Sequence, residues 1–131
     1  TEEAQLDFDM RSINVQELAE RLAAGEHPLI LDVRDPHEWE IVALDGTLRI
    51  PKGDILAAKN ALVAQRKLRE ETVLAQIPQD QEIIVHCRSG KRSADVIAYL
   101  REVGYDPARL FNLEGGILAW ANEIDTRLPT Y

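Results

Sequence analysis

Apolar residues along this chain fall into two rhythms, short unbroken runs and longer stretches with helical spacing. The runs at 29–33 (Leu-Ile-Leu-Asp-Val) and 82–86 (Glu-Ile-Ile-Val-His) are rich in β-branched residues and nearly free of polar alternation, the pattern of strands covered on both faces. Weaker runs at 10–13, 47–50 and 109–113 predict three more strands, the middle one stopped by Pro51 and Gly53. Helical signals lie between them. Asn14 followed by Glu17 is an N-cap signature, and Val15, Leu18, Ala19 and Leu22 then recur at helical spacing up to Gly25. Pro36 suits the first turn of a second helix carrying His37, Glu38, Trp39 and Ile41. Residues 55–77 contain neither Gly nor Pro and predict a helical stretch in one or two pieces. Residues 94–103 predict another helix, with Gly104 as its C′ residue, and Gly115-Gly116 turns the chain into a last one carrying Leu118 and Trp120.

Strands alternating with helices predict a three-layer α/β/α domain around a mostly parallel sheet. Its expected extent is 10–124, between a flexible segment at 1–9 and a loop-like tail at 125–131. Ligands of such sheets bind beyond the carboxyl ends of the strands. Arg34, Cys87 and Glu114 all fall there.

Candidate chemistry centres on 87–93, Cys-Arg-Ser-Gly-Lys-Arg-Ser. A strand, a tight polar loop with a glycine and a helix start make an anion cradle from backbone N–H groups and the helix dipole. Cys87 stands at its mouth, and Arg88, Lys91 and Arg92 together with the helix N-terminus are expected to favour the thiolate. The plainer alternative is a buried structural thiol. Three cations and a glycine beside it favour a nucleophile.

Charge and cysteine usage narrow the class. Fifteen Lys and Arg against 23 Asp and Glu give a formal net charge of −8, against a nucleic-acid or anionic-membrane surface. A single cysteine excludes an intramolecular disulfide and fits a reducing compartment. There is no membrane-length apolar run and no N-terminal basic segment leading into one, so a soluble, cytoplasmic protein is expected. His27, His37 and His86 have no metal-ligand spacing with Cys87, and no metal is expected. Lys59, Arg66, Lys67 and Arg69 read as a solvated helix face offset by Glu70 and Glu71, with docking of an acidic partner as the alternative.

The combination of Leu31-Asp32-Val33-Arg34, the loop Cys87 to Ser93 and Leu113-Glu114-Gly115-Gly116-Ile117-Leu118-Ala119-Trp120 resembles a rhodanese domain, over almost the whole chain. The resemblance implies a sulfurtransferase in which Cys87 accepts sulfane sulfur as a persulfide and hands it to a nucleophilic acceptor, with no other cofactor. It implies that Arg88, Ser89, Gly90, Lys91, Arg92 and Ser93 bind an anionic donor such as thiosulfate, and that Asp32 and Arg34 brace the loop. His86 is expected to be structural. The segments 35–41, 50–55 and 128–131 are similar to the C-terminal rhodanese domain of E1-like molybdopterin-synthase adenylyltransferase/sulfurtransferase proteins. That similarity implies an upstream adenylyltransferase domain, a ubiquitin-like sulfur-carrier acceptor in molybdopterin or thiamin-type biosynthesis, and thiosulfate or a cysteine desulfurase persulfide as donor. A chain that begins at Thr1 fits an excised domain.

Two other classes compete. A catalytically silent rhodanese module would serve binding or regulation, but such modules commonly lose the cysteine. Cysteine-dependent phosphatases place five residues between Cys and Arg; here four separate Cys87 from Arg92, and Ser93 stands where that Arg would be. The shorter loop suits a single sulfur atom better than a phosphoryl group.

Overall fold

The structure, a computed structural model, describes residues 10–131. The predicted flexible segment at 1–9 lies outside the described residues. Five strands, β1 (Arg11–Ile13), β2 (Leu29–Asp32), β3 (Leu48–Arg49), β4 (Ile83–His86) and β5 (Leu110–Leu113), form one parallel sheet in the order β1-β5-β4-β2-β3. The predicted strands are all present, each slightly shorter than its apolar run. Five helices cover the sheet: α1 (Val15–Ala23), α2 (Pro36–Ile41), α3 (Lys52–Val63), α4 (Lys91–Glu102) and α5 (Gly116–Glu123).

Period-two alternation sorts the strand side chains between two cores. Ile30 and Ile84 join Val15 and Leu18 of α1 and Trp120 of α5 on one face. Leu31, Ile83 and Val85 join Ile55 and Ala58 of α3 and Val96, Ile97 and Leu100 of α4 on the other. Ile83, Ile84 and Val85 are all buried, each worth about 1.5–3 kcal/mol of transfer free energy. That is why β4 carries no polar alternation. A third cluster of Val42, Leu44 and Ile117 receives Leu128 and Tyr131, which packs the 125–131 tail against the domain.

Two expectations need correction. The stretch 55–77 is not helical throughout: α3 ends at Val63, and 3-10 turns follow at Arg69–Glu71 and Val73–Gln76. A Schellman-type cap stops α3, with Arg66 N–H on Ala61 O at 2.9 Å and Gln65 N–H on Leu62 O at 3.0 Å. The C′ position at φ +57° is held by Gln65, a residue type that gives no stop signal. Leaving the helix lets Leu74 and Ile77 turn into the core, fully buried. Arg69 is correspondingly not on a solvated face, since it donates to Tyr105 Oη at 3.0 Å and contacts that ring. Secondly, α4 begins at Lys91 rather than at 94, so Lys91, Arg92 and Ser93 form its first turn. Gly90 caps it at φ +104°, a left-handed conformation that glycine adopts without strain.

The chain order runs from β2 outward to β3 and from β4 outward to β5, on opposite sides. The loops after β2 and β4 therefore diverge at the switch point of the sheet, where a crevice for a ligand is expected. Asp32 ends one of these strands and Cys87 follows the other.

Candidate active site

Cys87 is 1% exposed, its sulfur facing inward beneath the loop that follows β4. Its Sγ accepts the Gly90 N–H at 3.1 Å and lies 3.4 Å from Ser93 Oγ. Burial pushes the thiol pKa up, but the Ser93 hydroxyl and the N–H groups of Ser93, Gly90 and Ser89 outweigh it and hold the pKa below the ordinary thiol value. The first N–H groups of α4 have no intrahelical partner, and that of Ser93 faces the sulfur.

The outer side of the loop is fixed by α5. Ile117 N–H donates to Cys87 O at 3.0 Å and Leu118 N–H to Arg88 O at 3.1 Å. Carbonyls turned outward leave the N–H groups turned inward. The approach is close: a Cβ on Gly116 would stand 2.5 Å from both carbonyl oxygens. Gly116, rather than Gly90, is thus the position where the backbones need glycine for space; a Cβ on Gly90 would meet nothing nearer than 3.5 Å.

Asp32 and Arg34 form a buried pair beside this loop, both 0% exposed. The carboxylate accepts from Arg34 N–H at 3.1 Å, Nε at 3.0 Å and Nη2 at 2.7 Å, and His86 Nε2 lies 3.4 Å away. Burial raises the Asp32 pKa, yet His86 and Arg34 together hold it well below the usual carboxylate range. His86 Nδ1 is 3.1 Å from Cys87 O, so Asp32, His86 and the cysteine backbone form one line from β2 to the loop. Arg34 also donates to Val42 O at 2.9 Å and to Tyr131 Oη at 2.9 Å.

The loop cations are placed differently from one another. Arg92 makes a bidentate pair with Glu38 at 2.6 and 2.9 Å. This pairing, against a burial cost and with help from Tyr131 Oη, holds the Glu38 pKa down to about 2. Arg88 donates to the Tyr131 carbonyl and lies 5.1 Å from the centre of its ring. Lys91 is exposed, with no ion pair among the described residues. Ser89 is exposed at the loop apex. Glu114 follows β5 but is turned to Ser12, whose Oγ donates to it at 2.8 Å.

Three side chains of this constellation lie outside the set expected from the sequence: Glu38, Asn112 and Tyr131. Asn112 accepts from Ser93 Oγ at 2.6 Å and donates to Gly90 O at 3.0 Å, tying β5 to both ends of the loop's second half. The one signal for it was a polar amide inside an apolar strand, a group that needs partners if buried. Among the described residues no cluster of His, Cys, Asp and Glu could hold a metal ion, and no helix is long and apolar enough to cross a membrane.

The chain is thus a parallel α/β domain whose lone thiol rests against N–H donors at the sheet's switch point, where its thiolate is favoured. The family model of the rhodanese-like domain matches residues 14–123, and this chain belongs to that family. It is 34% identical over 120 residues to MoeZ, a probable adenylyltransferase/sulfurtransferase of Mycobacterium tuberculosis, covering 92% of this chain and 27% of the relative. A sulfurtransferase of Allochromatium vinosum is 34% identical over 112 residues, covering 86% of this chain and 89% of its own length. The crystal structure of a rhodanese-like domain protein from Staphylococcus aureus superposes with a TM-score of 0.64 at 26% identity, over 93% of this chain and 99% of that one. The chain spans about a quarter of the length of MoeZ, at 27%.

Proposed function

We propose that this domain is a sulfurtransferase in which Cys87 takes sulfane sulfur from a donor, carries it as a persulfide and passes it to a nucleophilic acceptor. The observation that carries this is the Cys87 sulfur, buried against N–H donors that favour its thiolate. Transfer balances as two displacements. The Sγ thiolate bonds to the donor's outer sulfur as the donor S–S bond breaks, and the donor leaves with the electron pair, as sulfite when thiosulfate is used. The acceptor then attacks the outer sulfur, the Sγ–S bond breaks, and Sγ leaves as thiolate. No cofactor enters, because the covalent persulfide is the carrier. The outer sulfur's charge would rest among the loop N–H groups, where preorganised donors act most strongly.

Lys91 is the loop cation with neither an ion pair nor a ring contact among the described residues, and we assign it the first contact with an anionic donor. Arg88 and Arg92, held by Tyr131 and Glu38, form the rim. The names of MoeZ and of the Arabidopsis thaliana adenylyltransferase and sulfurtransferase MOCS3, 32% identical over 120 residues, support a carrier-type acceptor. With such an acceptor the persulfide's outer sulfur is itself the nucleophile: it would attack the adenylated C-terminal carboxylate of a ubiquitin-like carrier and expel AMP. A thiol from outside this one-cysteine chain would then attack Sγ of the acyl disulfide, forming a disulfide with Cys87 and releasing the thiocarboxylate. Thiosulfate and the persulfide of a cysteine desulfurase are the donors that fit, in a reducing cytoplasm that keeps Cys87 free.

Intact-protein mass spectrometry tests the core of this proposal. Incubation with thiosulfate is expected to add one sulfur atom to Cys87, and cyanide to remove it as thiocyanate. With the thiol reduced and no adduct from either thiosulfate or a cysteine desulfurase, the silent-module reading would take over. A phosphatase finds no support, since Arg92 is turned onto Glu38.

A further inference from the structure

The Ser93 hydroxyl stands between two acceptors. Its Oγ lies 2.6 Å from Asn112 Oδ1 and 3.4 Å from Cys87 Sγ, and a hydroxyl has one proton to give. The other arm of the amide fixes which way Asn112 points: Nδ2 donates to Gly90 O at 3.0 Å, so Oδ1 is the atom that meets Ser93. With the proton on the Asn112 side, Oγ turns a lone pair to the sulfur. A neutral thiol suits that arrangement, because its S–H donates to Oγ. A thiolate does not: two electron-rich atoms then face each other until the hydroxyl turns and gives its proton to Sγ. That turn leaves Asn112 Oδ1 without its donor.

We propose that Asn112 is a positioning residue that competes with Cys87 for the Ser93 proton, so that the hydroxyl changes partner as the charge on Sγ comes and goes during sulfur transfer. The catalytic meaning rests on the sulfurtransferase proposal above. Before attack on the donor, and again when Sγ leaves from the outer sulfur, Sγ is anionic and Ser93 donates to it. In the persulfide Sγ is neutral, the charge sits on the outer sulfur among the loop N–H groups, and Ser93 returns its proton to Asn112. The exchange is a rotation of the hydroxyl about its C–O bond, trading one O–H···O bond for one O–H···S bond with no atom or electron gained or lost. Asn112 thereby lowers the affinity of the resting sulfur for negative charge and stabilises the loaded state.

The charged groups around the thiol come from every neighbouring element. Arg92 of α4 acts on it directly, and Arg88 and Lys91 flank it in sequence. His86 on β4 with Asp32 on β2 stands behind it, and Glu38 on α2 pairs with Arg92. Glu114 after β5 is held by Ser12, and α5 presents the N–H groups of Ile117 and Leu118. None of these is altered by substitutions at 93 and 112.

The test is a double-mutant cycle read by the ultraviolet absorbance of the thiolate against pH, on the wild-type domain, Ser93→Ala, Asn112→Leu and the double variant. Ser93→Ala is expected to raise the thiol pKa. Asn112→Leu is expected to lower it by about half to one unit, the worth of one hydrogen bond, and to do nothing in the Ser93→Ala background. A rise or no change with Asn112→Leu overturns the proposal. So does an equal shift in both backgrounds, the signature of a lost brace on Gly90 alone. If Asn112→Leu does not fold, Asn112→Asp gives the same decision. Its charge raises the pKa in both backgrounds, and the proposal requires a larger rise where Ser93 is present. The titration uses no sulfur donor, so failure of the sulfurtransferase proposal registers separately, as a missing adduct in the mass spectrum.

Discussion

At the scale of single residues, the thiolate of Cys87 is a matter of hydrogen bonds more than of formal charge. The sequence pointed to the helix N-terminus together with Arg88, Lys91 and Arg92 as what favours it; the sulfur is held by N–H groups and the Ser93 hydroxyl, while Arg92 is committed to Glu38. Alkylation of Cys87 should reach half its maximal rate at a pH below the ordinary cysteine value of about 8.5. Arg92→Ala should shift that midpoint upward less than Ser93→Ala does. Its larger consequence should be structural, because it leaves the buried Glu38 carboxylate without its partner: about 2 kcal/mol of stability, read from the urea midpoint. An Arg92→Ala variant with normal stability and a strongly raised thiol pKa would return the main role to charge. Cys87→Ser should abolish sulfur loading with the fold intact. The stability difference between wild type and Cys87→Ser should widen as pH rises from the folded thiol value to the unfolded one and stay constant above it. A depressed thiol pKa stabilises the fold there, and the contribution is lost as pH falls through the folded value.

At the scale of elements, what was legible is what local patterning determines. β2 and β4 announced themselves because both faces are buried, and α1 because Asn14 caps it through Glu17 N–H at 2.8 Å. The cysteine loop was legible because strand, glycine and helix start adjoin in sequence. The end of α3 was not, because its left-handed C′ residue is Gln65, and the turns beyond it exist to bury Leu74 and Ile77, a tertiary demand with no local mark. Glu38, Asn112 and Tyr131 escaped for the same reason: each meets the cysteine loop from a remote element. Gln65→Gly should stabilise the protein by about 0.5–1 kcal/mol by relieving the left-handed backbone, raising the melting temperature by a few degrees. A loss of stability would mean that the Gln65 side chain matters more than its backbone. Gly116→Ala should act in the opposite sense. Its methyl group would meet the Cys87 and Arg88 carbonyls, and the loop would have to move, lowering the rate of sulfur loading at least about tenfold.

At the scale of the whole molecule, one polar network joins parts of the chain that are far apart in sequence. Asp32 at the end of β2, Arg34 after it, Glu38 on α2, Arg92 on α4 and Tyr131 in the tail are linked, with Tyr131 Oη donating to Glu38 at 2.6 Å and Arg34 donating to Tyr131. Its carboxylates determine how the fold responds to acid. The Glu38 pKa falls from an ordinary 4.5 to about 2, chiefly through Arg92, and Asp32 lies lower still. A depressed carboxylate pKa contributes stability that is complete above the unfolded value and is lost as pH falls through the folded one. For Glu38 the window runs from 4.5 down to about 2, and the full contribution is about 3 kcal/mol. Asp32 extends the loss to lower pH. Urea midpoints measured from pH 7 to pH 2 should therefore hold above pH 4.5 and decline steadily below it. Glu38→Gln should be destabilised at neutral pH and should show a shallower decline across that window, having lost the group that titrates there. Tyr131→Phe should start its decline at the same pH but finish it at a higher one and with a smaller total loss, since removing the phenol hydroxyl removes one of the bonds that hold the Glu38 carboxylate ionised in the fold. If Glu38→Gln retained the wild-type slope, the acid response would belong to exposed carboxylates instead, and the network would be holding geometry without storing pH-dependent stability.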